Sequence, residues 1–180
     1  MSEALNQAQL IKEAKETYQR GDYGAAAKLF QAAAQGYASA GDKLNEAEML
    51  NNCGVAFLRL NDGKAALQAI EATPAIFAAA GDIRRQGLAL GNLGDSLESL
   101  GRKQEAVDIY TQSAELLEQA GEDEMRAHVL QSLSKLQLKS GRQIEALATM
   151  EAGLEGFKKP SLKQRFLKKL LRFPFKLMGS

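Results

Sequence analysis

The sequence predicts an all-α solenoid of four helix pairs followed by a basic amphipathic helix. Three observations carry this reading. A skeleton of small and apolar residues returns every 40 positions: Leu10, Leu50, Leu90 and Leu130; Ala26, Ala66, Ala106 and Ala146; Phe30, Ile70, Tyr110 and Met150. Glycines punctuate the skeleton, with Gly41, Gly81 and Gly121 closing the first three units. Within a unit, apolar residues recur at spacings of three, four and seven, the stripe of a helix with one covered face. Self-similarity at a fixed period of this size marks stacked supersecondary units, each burying the apolar side of its neighbour. The units run about 1–41, 42–81, 82–121 and 122–160, and residues 161–180 form a tail.

Each unit divides into two helices. In the third, the first helix spans about 83–100 and the second about 103–120, with Gly101 between them. Gly21 and Gly141 take that place in the first and fourth units, and Asn61 in the second. Glycine, then asparagine, ends a helix in the left-handed conformation at least cost. Asp22 and Asp62 follow as N-caps of the second helices, and Gly41-Asp42 and Gly81-Asp82 repeat the stop-then-cap order between units. Ala14, Gly54, Gly94 and Ser134 stand twelve residues before the aligned alanines and let paired helices approach closely. Pro74 interrupts the second helix of the second unit, where proline costs about 3 kcal/mol. It reads either as a tolerated kink on the outer face or as a bend in the superhelix.

Net charge is +1, but from Lys158 onward there are eight basic residues and no acidic one, so the body is net acidic. One cysteine, Cys53, excludes an intramolecular disulfide framework and reads as a small core residue at a leucine-like position. The polar start has no apolar signal region, and no run of 18 apolar residues occurs. A cytoplasmic protein is expected, with a peripheral membrane contact open to the tail. There is no phosphate-binding glycine loop, no cysteine pair and no metalloprotease or nucleophile motif. Cys53 and the single histidine, His128, fall two units apart and cannot pair within one chain. The reading is therefore non-enzymatic, without cofactor or metal. Nucleic acid is an unsuitable partner for an acidic body lacking a recognition motif.

Leu93-Gly94, Ala106 and Tyr110, and less fully Cys53-Gly54, Phe57, Ala66 and Ile70, resemble the tetratricopeptide repeat (TPR). The period exceeds the commoner one of about 34 residues and resembles the longer variant of kinesin light chains. The family tryptophan is absent, with leucine in its place. The resemblance covers residues 1 to about 158 and implies a right-handed solenoid whose first helices line a concave, ligand-holding surface. By register that surface would carry Ile11, Lys12, Lys15, Tyr18 and Gln19; Glu48, Asn51, Asn52, Val55, Leu58 and Arg59; Leu88, Asn92, Asp95, Glu98 and Ser99; and His128, Gln131, Ser132, Lys135 and Lys139. Asn52 and Asn92 occupy equivalent positions; in related repeats an asparagine there bonds a bound peptide's backbone, and the alternative is a bond to a neighbouring helix turn or water. Asp95 and Glu98 lie three apart on one helix face. They form either a solvated surface or a spot preferring a basic peptide.

In the tail, SLKQRFLKKLLRF at 161–173 places Phe166, Leu170 and Phe173 on one side of a helical wheel and Lys168, Lys169 and Arg172 on the other. Three roles fit: a cap on the fourth unit, a helix on an anionic membrane surface, or a segment docking in a groove of its own or another copy. The leading expectation is a scaffold or adaptor holding a peptide in its concave groove. The alternatives are a membrane-associated assembly factor and a self-associating oligomer.

Overall fold

The computed structural model describes residues 2–155, with side chains from Gln7 onward. The tail at 161–180, and every role expected of it, lies outside them. Nine helices and no strand occur among the described residues: α1 (Ser2–Gln19), α2 (Tyr23–Ser39), α3 (Lys43–Arg59), α4 (Gly63–Ile70), α5 (Thr73–Ala79), α6 (Ile83–Ser99), α7 (Lys103–Gln119), α8 (Asp123–Lys139) and α9 (Gln143–Glu155). Consecutive helices pack antiparallel-fashion into hairpins, and each hairpin covers the next: α2 meets α3, α4 and α5 meet α6, and α7 meets α8. The first helices α1, α3, α6 and α8 form one layer; α2, α4 with α5, α7 and α9 form the other.

The expected stop signals hold. Gly21, Gly41, Gly81, Gly101, Gly121 and Gly141 all have positive φ, and Asn61 takes the same left-handed conformation at φ 58°. The side chains of Asp22, Asp42, Asp62 and Asp82 each accept a hydrogen bond from the backbone N–H three residues on, satisfying an otherwise orphaned donor of the helix that follows.

Close packing follows from the small residues. The aligned Ala26, Ala66, Ala106 and Ala146 are fully buried. Ile70 lies directly on the backbone of Gly54, and the Tyr110 ring lies on Gly94, where an added Cβ would come within 2.6 Å of ring carbons. Ser134 fills the same slot and donates to the Ala146 carbonyl at 2.8 Å. Cys53 is buried and donates weakly to the Ala27 carbonyl at 3.4 Å, as a core residue would.

The second unit departs from the expectation of one kinked helix. Its second helix is two, α4 and α5, separated by a turn at Glu71 and Ala72. Pro74 sits in the first turn of α5, where a missing N–H costs nothing. Thr73 seals the break by donating its hydroxyl to the Ile70 carbonyl at 2.9 Å. Both Thr73 and Pro74 are buried, so an outer-face kink is corrected: the proline turns inward.

Candidate functional site

The first helices converge on one hollow of about 550 Å³, lined by Tyr18 from α1, Val55, Leu58 and Arg59 from α3, Asn92, Asp95, Glu98 and Ser99 from α6, and Lys139 from α8. All lie on the face that the 40-residue register assigns to the inner side. The α3–α4 turn adds Asn61.

A ladder of side-chain bonds ties each first helix to the next at an offset of 41 residues. Arg59 Nε donates to the Tyr18 hydroxyl at 3.2 Å. Asn92 Nδ2 donates to Asn51 Oδ1 at 3.1 Å. Lys139 Nζ donates to Glu98 Oε1 at 2.8 Å. Arg59 also lies over the Tyr23 ring, 5.8 Å from its centroid.

The carboxylates are not a merely solvated surface. The Tyr110 hydroxyl reaches them from the core, 2.5 Å from Asp95 Oδ1 and 3.2 Å from Glu98 Oε2. Burial raises the Asp95 pKa above its ordinary value, against the Tyr110 bond, which lowers it; the charge on Glu98 raises it and that on Lys135 lowers it. Burial, then the two carboxylates, push the Tyr110 phenol well above its ordinary value, so it acts as a donor.

Residues 85–159 match the family model of the tetratricopeptide repeat. These residues are tetratricopeptide repeats. A crystal structure of Podosopora anserina kinesin light chain nearly identical TPR-like repeats is similar to the whole chain, with a TM-score of 0.69, 15% identity, and coverage of 97% of this chain and 98% of that one. That likeness gives the fold, a TPR solenoid. No curated protein matches the chain. TPR repeats are interaction modules, and the fold is typically a non-catalytic scaffold.

The TPR register brings together Arg59, Asn92, Asp95 and Ser99 in the main hollow. Asn52 and Lys15 line a smaller one beside it, of about 230 Å³, with Tyr18 and Val55. Asn51 lines neither hollow; its Oδ1 accepts from Asn92, which so uses one donor on a neighbouring helix. Lys12 lines neither hollow and lies 3.9 Å from Glu16 on its own helix. Lys135 is exposed on α8 and acts on Asp95 through its charge. Sequence reasoning named neither the role of the Tyr110 hydroxyl nor the Glu98–Lys139 pair. The signal for both was the chance meeting of a tyrosine at a core position with a carboxylate fifteen residues earlier, and opposite charges at the ladder offset.

Proposed function

We propose that the chain is a non-enzymatic cytoplasmic scaffold that holds an extended peptide segment of a partner protein in this TPR hollow. The supporting observation is the hollow itself. It draws on four successive first helices, has an apolar floor at Val55 and Leu58, and offers Asn92, Ser99 and Arg59 as hydrogen-bonding groups around it. Side-chain amides and hydroxyls suit a peptide backbone, which presents a donor and an acceptor at each residue. Arg59 and Lys139 at opposite sides of Asp95 and Glu98 make the lining mixed in sign, so charge pattern would choose the partner and its direction. The membrane and self-association readings rest on residues outside the described ones. No described helix is long and apolar enough to cross a membrane.

A photo-crosslinking amino acid at Leu58, compared with one at the exposed Gln104 on α7, tests the proposal. The expected result is a discrete adduct in cell extract from position 58 alone, weakened by Arg59→Glu. Equal adducts from both positions, or from position 104 only, would place the partner elsewhere.

A further inference from the structure

A second groove, of about 360 Å³, opens between α4 and α7, where α6 shows through from below. Leu67 of α4, Leu93 and Leu97 of α6 and Ile109 of α7 make its apolar lining. Leu67, Leu93 and Ile109 are only partly buried, so the chain's own packing leaves them uncovered on this side. At about 100° per residue, Leu93 and Leu97 lie on the opposite side of α6 from Asn92, Asp95 and Ser99. The groove is therefore separate from the inner hollow.

Its rim is acidic. Arg102 is held by both carboxylate oxygens of Glu105, at 2.8 and 2.6 Å. That leaves Glu71 and Asp108. Among the described residues Glu71 meets the field of Arg102 but forms no hydrogen bond or ion pair. Asp108 accepts from the neutral Gln104 amide at 3.0 Å, and Gln104 itself does not line the groove. Arg142, whose charge senses Asp108, is taken up by Glu145. Glu71 also stands at the C-terminus of α4, the end of a helix dipole that favours a cation. A cation brought there by a partner would meet both.

The other two joints lack this combination. Forty residues earlier, Gln31 and Gln68 replace Glu71 and Asp108, and Ala27 and Cys53 replace Leu67 and Leu93. Forty residues later, Thr111 and Ala148 take the acidic places, and Gln137 and Thr149 replace Leu97 and Ile109. Four large aliphatic residues under two unneutralised carboxylates occur at the middle joint alone.

We propose that this groove docks a basic amphipathic helix of a partner protein. Two aliphatic side chains one turn apart seat among Leu67, Leu93, Leu97 and Ile109, and lysine or arginine beside them meets Glu71 and Asp108. The proposal does not rest on what the inner hollow holds. With both faces occupied, the solenoid joins two partners back to back.

The test uses the full-length chain and a labelled synthetic leucine–lysine helix of about 14 residues, with a leucine–glutamate helix of the same pattern as control. Fluorescence anisotropy should show saturable binding of the first and none of the second. Glu71→Lys with Asp108→Lys should raise the Kd at least about tenfold, and Glu71→Gln with Asp108→Asn at least about threefold. Both residues are exposed, so Tm should not change. Asp95→Asn with Glu98→Gln, in the inner hollow, should leave the Kd within about twofold. No saturable binding up to about 100 μM, equal binding of the leucine–glutamate helix, or a loss confined to the Asp95 and Glu98 variant would overturn the proposal. A photo-crosslinking residue at Leu67 should give an adduct with the probe. An adduct within the chain or between two copies would instead assign the groove to the chain's own tail or to a second molecule, and would likewise overturn it.

Discussion

The Tyr110 hydroxyl ends 2.5 Å from Asp95 Oδ1, while its ring is buried and rests on Gly94. One side chain therefore belongs to the core of the third unit and to the floor of the groove. Phe30, Ile70 and Met150 hold the corresponding positions without a polar end, so the third unit alone couples its packing to its inner surface.

Two substitutions separate these roles. Tyr110→Phe keeps the ring and strips Asp95 of its donor, and should cost about 1–2 kcal/mol in urea unfolding. Gly94→Ala keeps the hydrogen bond and drives a methyl group into the ring, costing about 1–3 kcal/mol despite alanine's better helix propensity. Placed in a Tyr110→Ala background, Gly94→Ala should lose most of that penalty. A cost that persists there would mean that the ring is not what the glycine accommodates.

Asp95 should leave a mark on the pH dependence of stability. Burial sets its folded pKa above the unfolded value of 3.8, so the folded state holds its proton more tightly. Its contribution is most favourable below the unfolded value and is lost as pH rises through the raised folded one. Asp95→Asn keeps an acceptor for Tyr110 and removes the charge. It should be more stable than the parent at about pH 7, with the advantage shrinking toward about pH 4. Urea midpoints that keep a constant separation over that range would refute this.

Pro74 should determine where the second unit's outer helix is cut. With Pro74→Ala the turn at Glu71 and Ala72 can close into a continuous helix, because the alanine supplies the N–H that proline lacks. Hydrogen exchange at the amides of Ala72, Thr73 and Ala75 should slow relative to the parent. Exchange that stays as fast would show that the Thr73–Ile70 bond, and not the proline, maintains the break.

The periodic features were legible because they are local and repeated. A left-handed stop followed by an aspartate cap is written in two adjacent letters, as at Gly81-Asp82, and the helices begin where those letters say. Which residues share a helix side was legible too, since helical phase fixes it, although Lys12 and Asn51 line neither hollow. The partners within that row were not. Glu98 and Lys139 meet only once α6 and α8 have stacked, and a carboxylate three residues from another reads as surface until a buried phenol is seen to reach it. Pro74 misled for the same kind of reason: a proline in a helix pattern signals a break, but which side it faces depends on where the chain resumes, and here α5 resumes with Thr73, Pro74 and Phe77 all turned to the core.

The constant offset of the ladder has a consequence for how such a chain can lengthen. Glycine slots, caps and buried alanines all recur at the unit's own period, so a duplicate of residues 82–121 spliced after Gly121 would present its neighbours with surfaces they already accommodate. Glu98 of the inserted copy would stand at the right remove from the lysine now numbered 139. Tandem duplication would then add a rung without inventing a joint, which makes reach, rather than architecture, the property most readily altered.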